Sequence, residues 1–211
     1  MEGHYFGVYK GETALVTGRT GFMGAKLPMT LNLMGAGNAV VEFSLGPPIF
    51  HSMYDITGLG NKDASIMGVA MALWALKDII AEPLPDFVFH LAAQLIVLES
   101  HGRPVDTFST TVMGTMNFLE SLRNTKNAKS VVVAMSDKSH KSRGWEYPYS
   151  EVDEIGGKDP YSSSKSCADV MVDSYRESCL KAAGVGLSSN GLGKIGAFTN
   201  NIIEICIIHT G

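Results

Sequence analysis

Short apolar runs alternate along this chain with longer segments in which apolar residues recur every three or four positions. That is the pattern of strands laid side by side with helices packed over them. Four runs read as strands, being short and rich in Val and Phe: TALVT (Thr13 to Thr17), NAVVEF (Asn38 to Phe43), DFVFHLA (Asp86 to Ala92) and KSVVVAM (Lys129 to Met135). Two helices open on a proline. From Pro104 to about Arg123, Phe108, Val112, Met116 and Leu119 repeat at helical spacing, and a second helix runs from Pro160 to about Ala183. Between Asp137 and Asp159 lies a polar, aromatic-bearing loop. Connections of that length in a compact domain are usually functional or disordered. The expected fold is α/β, a doubly wound parallel sheet with helices on both faces.

The first predicted strand runs directly into TGRTGFMG, where Gly18, Gly21 and Gly24 stand three apart at the start of a helix. Glycines let a backbone turn tightly and approach a pyrophosphate, and the helix start offers free N–H groups and a positive dipole end. A strand before and a helix after make this a dinucleotide loop rather than a chance run. Glu42, near the end of the second strand, stands where an acid would hold the ribose hydroxyls of NAD. A solvated strand-end glutamate has the same pattern.

In DPYSSSK, Tyr161 and Lys165 are four residues apart, so their side chains share one helix face. A phenol titrates near pH ~10 when free, and a neighbouring cation favours the phenolate. A surface helix that carries a Tyr and a Lys has the same spacing. Ser136-Asp137-Lys138 directly follows the last predicted strand, a place that Ser and Asp also occupy in ordinary turns. In HLAAQ, Ala92 and Ala93 are small enough to let a ligand lie close, and His90 reads as a core histidine rather than a catalyst.

Composition narrows the classes. A chain of 211 residues carries one domain with a sizeable core. Its net charge of -4 gives no basic surplus, so no nucleic-acid partner is expected. Cys167, Cys179 and Cys206 are odd in number and lack CxxC spacing, which argues against a disulfide framework or a metal site and suits reduced thiols in the cytoplasm. No apolar run reaches the ~18 residues needed to cross a bilayer, and the opening MEGHYFGVYKGE has no apolar signal core. The sequence therefore predicts a cytoplasmic protein without a membrane partner.

TGRTGFMG, FVFHLAAQ, TTVMGTMNFLESL, MSDKSH and GGKDPYSSSKSCADV follow one another in an order and at separations that resemble the extended short-chain dehydrogenase/reductases, the NAD-dependent epimerase/dehydratase family. The resemblance covers about Leu15 to Ser189 and implies a Rossmann-type domain over 1–189. Lys138 stands where dTDP-sugar relatives carry an acid, so the narrower resemblance is to the branch that dehydrates CDP-glucose. The resemblance implies NAD held by Gly18, Thr20, Gly21, Phe22, Met23, Gly24, Ala92, Ala93 and Gln94 together with Tyr161 and Lys165. It implies a nucleotide-sugar substrate, CDP-glucose, and a homodimer as a possible assembly. Tyr161 would take the 4′-hydroxyl proton, and Lys165 would lower its pKa and bond the nicotinamide ribose. Ser136 would hydrogen-bond the 4′-oxygen, Asp137 would act as acid at the 6′-oxygen, and Lys138 would be the base at C5′ or its helper.

Some positions depart from the family pattern. Thr111 replaces an Asn, Val69 an adenine-binding Asp, Gly46 an acid, and Leu95 and Leu98 a Pro and an Arg. Binding should weaken before the chemical step does. Beyond Ser189 the resemblance ends, and 190–211 is expected to be a truncated or aberrant tail in place of a substrate-enclosing domain. On that expectation the chain alone binds NAD weakly and turns over little. A dinucleotide-binding remnant is one alternative. A sugar-nucleotide epimerase, needing Tyr161 and Lys165 but not Asp137 and Lys138, is another.

Overall fold

In the computed structural model of the chain, the described residues are 7–18, 21–36, 40–44, 65–67, 77, 80, 85–123, 128–146, 153–180 and 204–209. Six strands, β1 (Ala14–Thr17), β2 (Val40–Ser44), β3 (Ser65–Met67), β4 (Phe87–His90), β5 (Ser130–Met135) and β6 (Glu204–His209), form one sheet in the order β3-β2-β1-β4-β5-β6. Every pair is parallel. The order reverses between β1 and β4, the switch point at whose carboxyl edge such sheets bind ligands. The doubly wound parallel fold expected from the sequence is therefore present.

All four residues of β1 and all four of β4 are buried, which is what continuous apolar runs do in a sheet covered on both faces. Side chains alternate between two cores. Leu15, Val88, Val131 and Val133 meet Phe118, Leu119, Leu122, Ala168 and Val172 on one face. Ala14, Val16, Phe87 and Phe89 meet Leu31 on the other. That second face is covered by α1 (Phe22–Leu33), whose buried Gly24, Ala25, Pro28 and Leu31 follow a three-to-four spacing. The first is covered by α4 (Gly114–Leu122) and α5 (Pro160–Ser174).

The helix predicted from Pro104 to Arg123 is present but interrupted. After the short α2 (Val97–Gly102), α3 (Pro104–Phe108) passes into a π-helical stretch, Ser109–Met113, before α4 begins. Of the four positions expected to face inward, Leu119 is buried. Thr107, Thr111 and Thr115 are buried, while the expected Phe108, Val112 and Met116 are only half-buried. The second predicted helix likewise ends in a π-helical stretch, Tyr175–Leu180. The segment expected to be a tail supplies the sixth strand: Glu204–His209 pairs along the full length of β5. The β-branched run in IIEICIIH carried that signal.

At the amino ends of β1, β4 and β5 a polar staple holds the sheet. The Thr13 amide and hydroxyl both donate to Asp86 Oδ2, at 2.9 and 2.8 Å, and the Lys129 ammonium lies against both Asp86 and Glu12. Burial pushes the Asp86 carboxyl up, and the hydrogen bonds from Thr13 and Lys129 outweigh it, so the group sits below the usual carboxylate range. A depressed carboxylate stabilises the fold at every pH above its unfolded value of ~3.9 and loses that contribution as pH falls through its folded value. Asp86→Asn should therefore cost about 1–2 kcal/mol at neutral pH. In urea unfolding, the gap between the two proteins should stay constant from mildly acidic to neutral pH and close below about pH 4.

Candidate active site

Three chain segments leave the sheet at its carboxyl edge beside the switch point. Thr17, His90 and Val133 lie in register across β1, β4 and β5, so Gly18, Leu91 and Ala134 follow at one level. Gly18 has φ 79°, and a Cβ there would fall 2.6 Å from the Ala92 amide nitrogen and 2.7 Å from the Leu91 carbonyl carbon. The loop thus rests directly on the peptide that follows β4, an approach open only to glycine. The Gly21 amide closes the turn on the Gly18 carbonyl at 3.1 Å, and Gly21 is the residue that begins α1.

Among the described residues no side chain caps α1, and no acid lies in its first turn, so its amides are available to an anion. Phe22 and Met23 are exposed at that end and Gly24 is buried. Lys26 lies 3.9 Å over the Phe22 ring. Across the cleft, Ala92, Ala93 and Gln94 are half-buried. The Gln94 amide nitrogen donates to the Ile96 carbonyl at 2.9 Å, while its Oε1 is buried without a hydrogen-bond partner among the described residues. Bare helix amides, a turn closed to side chains and an orphaned acceptor fit a phosphate-bearing dinucleotide. Thr20, Gly46 and Val69 lie outside the described residues. Glu42 is in β2 opposite Val16, two residues before the strand ends.

The second half of the site is built on α5. Asp159 accepts the Ser162 amide at 3.0 Å and Ser162 Oγ accepts the Asp159 amide at 3.2 Å, a reciprocal cap that starts the helix at Pro160. Burial pushes the Asp159 carboxyl up, but the Ser162 hydroxyl, which donates to its Oδ2 at 2.6 Å, and the Ser162 and Tyr161 amides leave it below the usual range. What α5 buries is mostly polar: Tyr161, Ser162, Ser164, Lys165, Ser166 and Asp169. A buried polar helix face is unusual in a core and is the kind of feature that marks a site. Tyr161 and Lys165 are 8% and 5% exposed.

Burial pulls the Lys165 ammonium down to about 8, against the opposing carboxylate of Asp169 one turn along. Its Nζ lies 3.4 Å from the Ala134 carbonyl of β5. Ser136 follows β5 and is buried, and a short 3-10 turn, Asp137–Ser139, comes next, with Lys138 exposed. That turn is tied to α5. The Ser166 hydroxyl lies 2.8 Å from both the Ser139 and the Ser162 carbonyl, and the Ser139 hydroxyl is within hydrogen-bond reach of the Ser136 carbonyl and Asp169. The chain segment bearing Ser136, Asp137 and Lys138 is thereby fixed to the helix bearing Tyr161 and Lys165.

The long loop returns to the same place. His140 and Ile155 form an antiparallel bridge, the Lys141 amide donates to the Glu154 carbonyl at 2.8 Å, and the Gly156 amide to the Ser139 carbonyl at 2.8 Å. Lys141 and Arg143 both reach the Glu154 carboxylate, at 2.8 and 3.2 Å, which holds that exposed group below the usual range through the Lys141 hydrogen bond first. Residues 147–152 of the loop lie outside the described ones. Gly157 then lies on the first turn of α5: a Cβ there would fall on the Ser162 carbonyl carbon and the Ser163 amide, and Ser163 Oγ donates to the Gly157 carbonyl at 3.0 Å. The structure adds Gly157, Ser139, Ser166 and Asp169 to the residues expected from the sequence, Tyr161, Lys165 and Ser136 to Lys138. Only the Asp159-x-x-Ser162 cap had a local signature. Gly157→Ala should push the loop off this turn and lower turnover about tenfold, the scale of a small misplacement, while NAD affinity by calorimetry stays within about twofold.

His90, read as a core histidine, is buried with both ring nitrogens bonded. Thr111 is buried in the π-helical stretch, its hydroxyl without a partner among the described residues. Leu95 and Leu98 are exposed. Cys167 and Cys179 are free thiols. Among the described residues no cluster could hold a metal ion, and no helix is long and apolar enough to cross a membrane.

Comparison with known proteins bears on this arrangement. A family model described as GDP-mannose 4,6 dehydratase matches residues 15–207. The chain belongs to this family. Its resemblance to extended short-chain dehydrogenase/reductases that act on nucleotide sugars is thus borne out. A CDP-glucose 4,6-dehydratase of Salmonella typhimurium is 38% identical over 192 residues, covering 89% of this chain and 53% of that protein. A UDP-glucose 4-epimerase of Mycolicibacterium smegmatis is 30% identical and covers 77% of this chain and 50% of its own length. Among solved structures, a UDP-glucose 4-epimerase of Brucella ovis in complex with NAD is similar with a TM-score of 0.67 and 22% identity, over 80% of this chain and 49% of that one. The chain spans about half the length of the curated relatives it matches.

Proposed function

We propose that this chain forms the dinucleotide-binding and catalytic half of an NAD-dependent nucleotide-sugar 4,6-dehydratase, with CDP-glucose as substrate. The observation that carries the reading is the tie between the Ser136–Ser139 segment and α5 through Ser166, Ser139 and Asp169. An enzyme that only oxidises and reduces at C4′ has no need of an acid and a base at the end of β5. One that also expels water does, and Asp137 and Lys138 are the residue types for it.

NAD bound along Gly18, Gly21 and Ala92 would take hydride from C4′ and return it to C6′. The chain's own residues do the rest. Tyr161 accepts the 4′-hydroxyl proton, with Lys165 four residues on along the same helix. Ser136 donates a hydrogen bond to the 4′-oxygen as it becomes a carbonyl. That carbonyl acidifies the C5′ proton, which Lys138 removes or helps to remove, while Asp137 protonates the departing 6′-oxygen so that it leaves as water; the proton is given back to C5′ as hydride adds at C6′. CDP rather than another nucleotide is supported by the Salmonella relative's name and by Lys138, which stands where dTDP-sugar relatives carry an acid.

The test is incubation of the purified chain with NAD and CDP-, dTDP- or UDP-glucose, reading the alkaline absorbance of the 4-keto product. Product formed preferentially from CDP-glucose supports the reading. Inversion at C4′ without loss of water would replace it with the epimerase reading. A rise in melting temperature with NAD but no conversion of any sugar would leave a dinucleotide-binding remnant.

A further inference from the structure

The dehydratase reading gives His90 no role, yet its surroundings are unusually ordered. The residue ends β4 and is 2% exposed, its ring stacked on Phe118 at 4.1 Å and 6°. Nδ1 lies 2.8 Å from Thr17 Oγ1, and Nε2 lies 3.3 Å from Thr115 Oγ1. The Thr115 hydroxyl donates to the Thr111 carbonyl at 2.6 Å, so its one proton is committed and it can only accept from the ring. Nε2 therefore carries the hydrogen, and Nδ1 is left bare to accept from the Thr17 hydroxyl. Thr17 Oγ1 in turn accepts the Ala92 amide at 3.4 Å.

Every bond in this series runs in one direction: Ala92 N–H to Thr17, Thr17 to His90, His90 to Thr115, Thr115 to the Thr111 carbonyl. Buried series of this kind polarise each other and resist partial breakage. One end is the peptide on which the Gly18 turn rests. The other is the π-helical stretch that packs against α5.

We propose that His90, as the neutral Nε2–H tautomer, is a positioning residue that fixes the Ala92 side of the cleft relative to the helix carrying Tyr161 and Lys165. Burial, and then the nearby Lys165 cation, keep the imidazole neutral by pulling it down to about 3. A charged ring would have no lone pair for the Thr17 hydroxyl and would face the Lys165 ammonium. What the cleft holds, NAD, is taken from the dehydratase reading; the hydrogen-bond series is not.

The test uses three variants and begins without ligand. Ring nitrogen NMR of the unmodified chain should show a pyridine-type Nδ1 and a protonated Nε2. His90→Phe should raise amide hydrogen exchange at 91–94 at least tenfold. His90→Asn, whose carbonyl can stand in for Nδ1 toward Thr17, should restore most of that protection. Should His90→Phe fail to fold, the isosteric Thr17→Val cuts the same link and must give the same rise. With NAD, His90→Phe should weaken affinity about tenfold, and His90→Asn should keep affinity within about threefold while lowering turnover. An Nδ1–H tautomer, or a lowered melting temperature with exchange at 91–94 unchanged in both His90→Phe and Thr17→Val, would overturn the proposal. Failure of the unmodified chain to bind NAD would overturn the dehydratase reading instead, and the ligand-free readouts would still decide the role of His90.

Discussion

Tyr161→Phe is expected to form 4-keto product about 10²–10⁴-fold more slowly than the unmodified chain, the range lost with a positioned proton acceptor. NAD affinity and melting temperature should change little. The ring of Tyr161 is buried in the first turn of α5, in a helix start already fixed by the Asp159–Ser162 cap. Removing one oxygen leaves that packing intact and deletes only the group proposed to take the 4′-hydroxyl proton. Because both proteins are compared at saturating NAD, the ratio is independent of how tightly the cofactor binds. A Phe variant within about threefold of the unmodified rate would remove Tyr161 from the chemistry and, with it, the proposed mechanism.

Gly18→Ala should raise the Kd for NAD more than a hundredfold, equivalent to about 2.7 kcal/mol or more. Two costs combine. A left-handed φ at a residue with a side chain costs roughly 1–2 kcal/mol. The added methyl also overlaps the Leu91–Ala92 peptide, a backbone group that cannot swing away as a flexible side chain could. To relieve the clash, the loop must lift from the end of β4 and carry the amides of α1 with it. Calorimetry reads the affinity, and circular dichroism confirms that the sheet persists. Unchanged NAD binding would mean that the Gly18 turn is no part of a dinucleotide cradle.

How much of this could be read from the sequence depends on whether the determining contact is local. β1 and β4 were recognisable because a strand buried on both faces needs an unbroken apolar run, and ALVT and FVFH are such runs. β3 is three residues long and carries too little pattern to register. β6 falls where the sequence pointed to a tail, although it carries a β-branched run. Along the Pro104 helix Leu119 is buried as expected, but around the π-helical stretch the buried positions are threonines, which apolar spacing does not mark. Tyr161 and Lys165 were legible as a pair because one helix fixes their relation. The bonds from Ser166 and Ser139 that attach the Ser136–Ser139 segment to them span 27 and 30 residues. No local pattern announces contacts of that reach.

The paired ends of the 137–159 loop have a consequence for how such a protein can change. His140 with Ile155, Lys141 with Glu154, and Ser139 with Gly156 clamp the two ends together before the chain reaches α5. Substitutions between the clamps are therefore expected to leave the start of α5 in place. The two ends of the loop thus serve as anchors for the start of the helix.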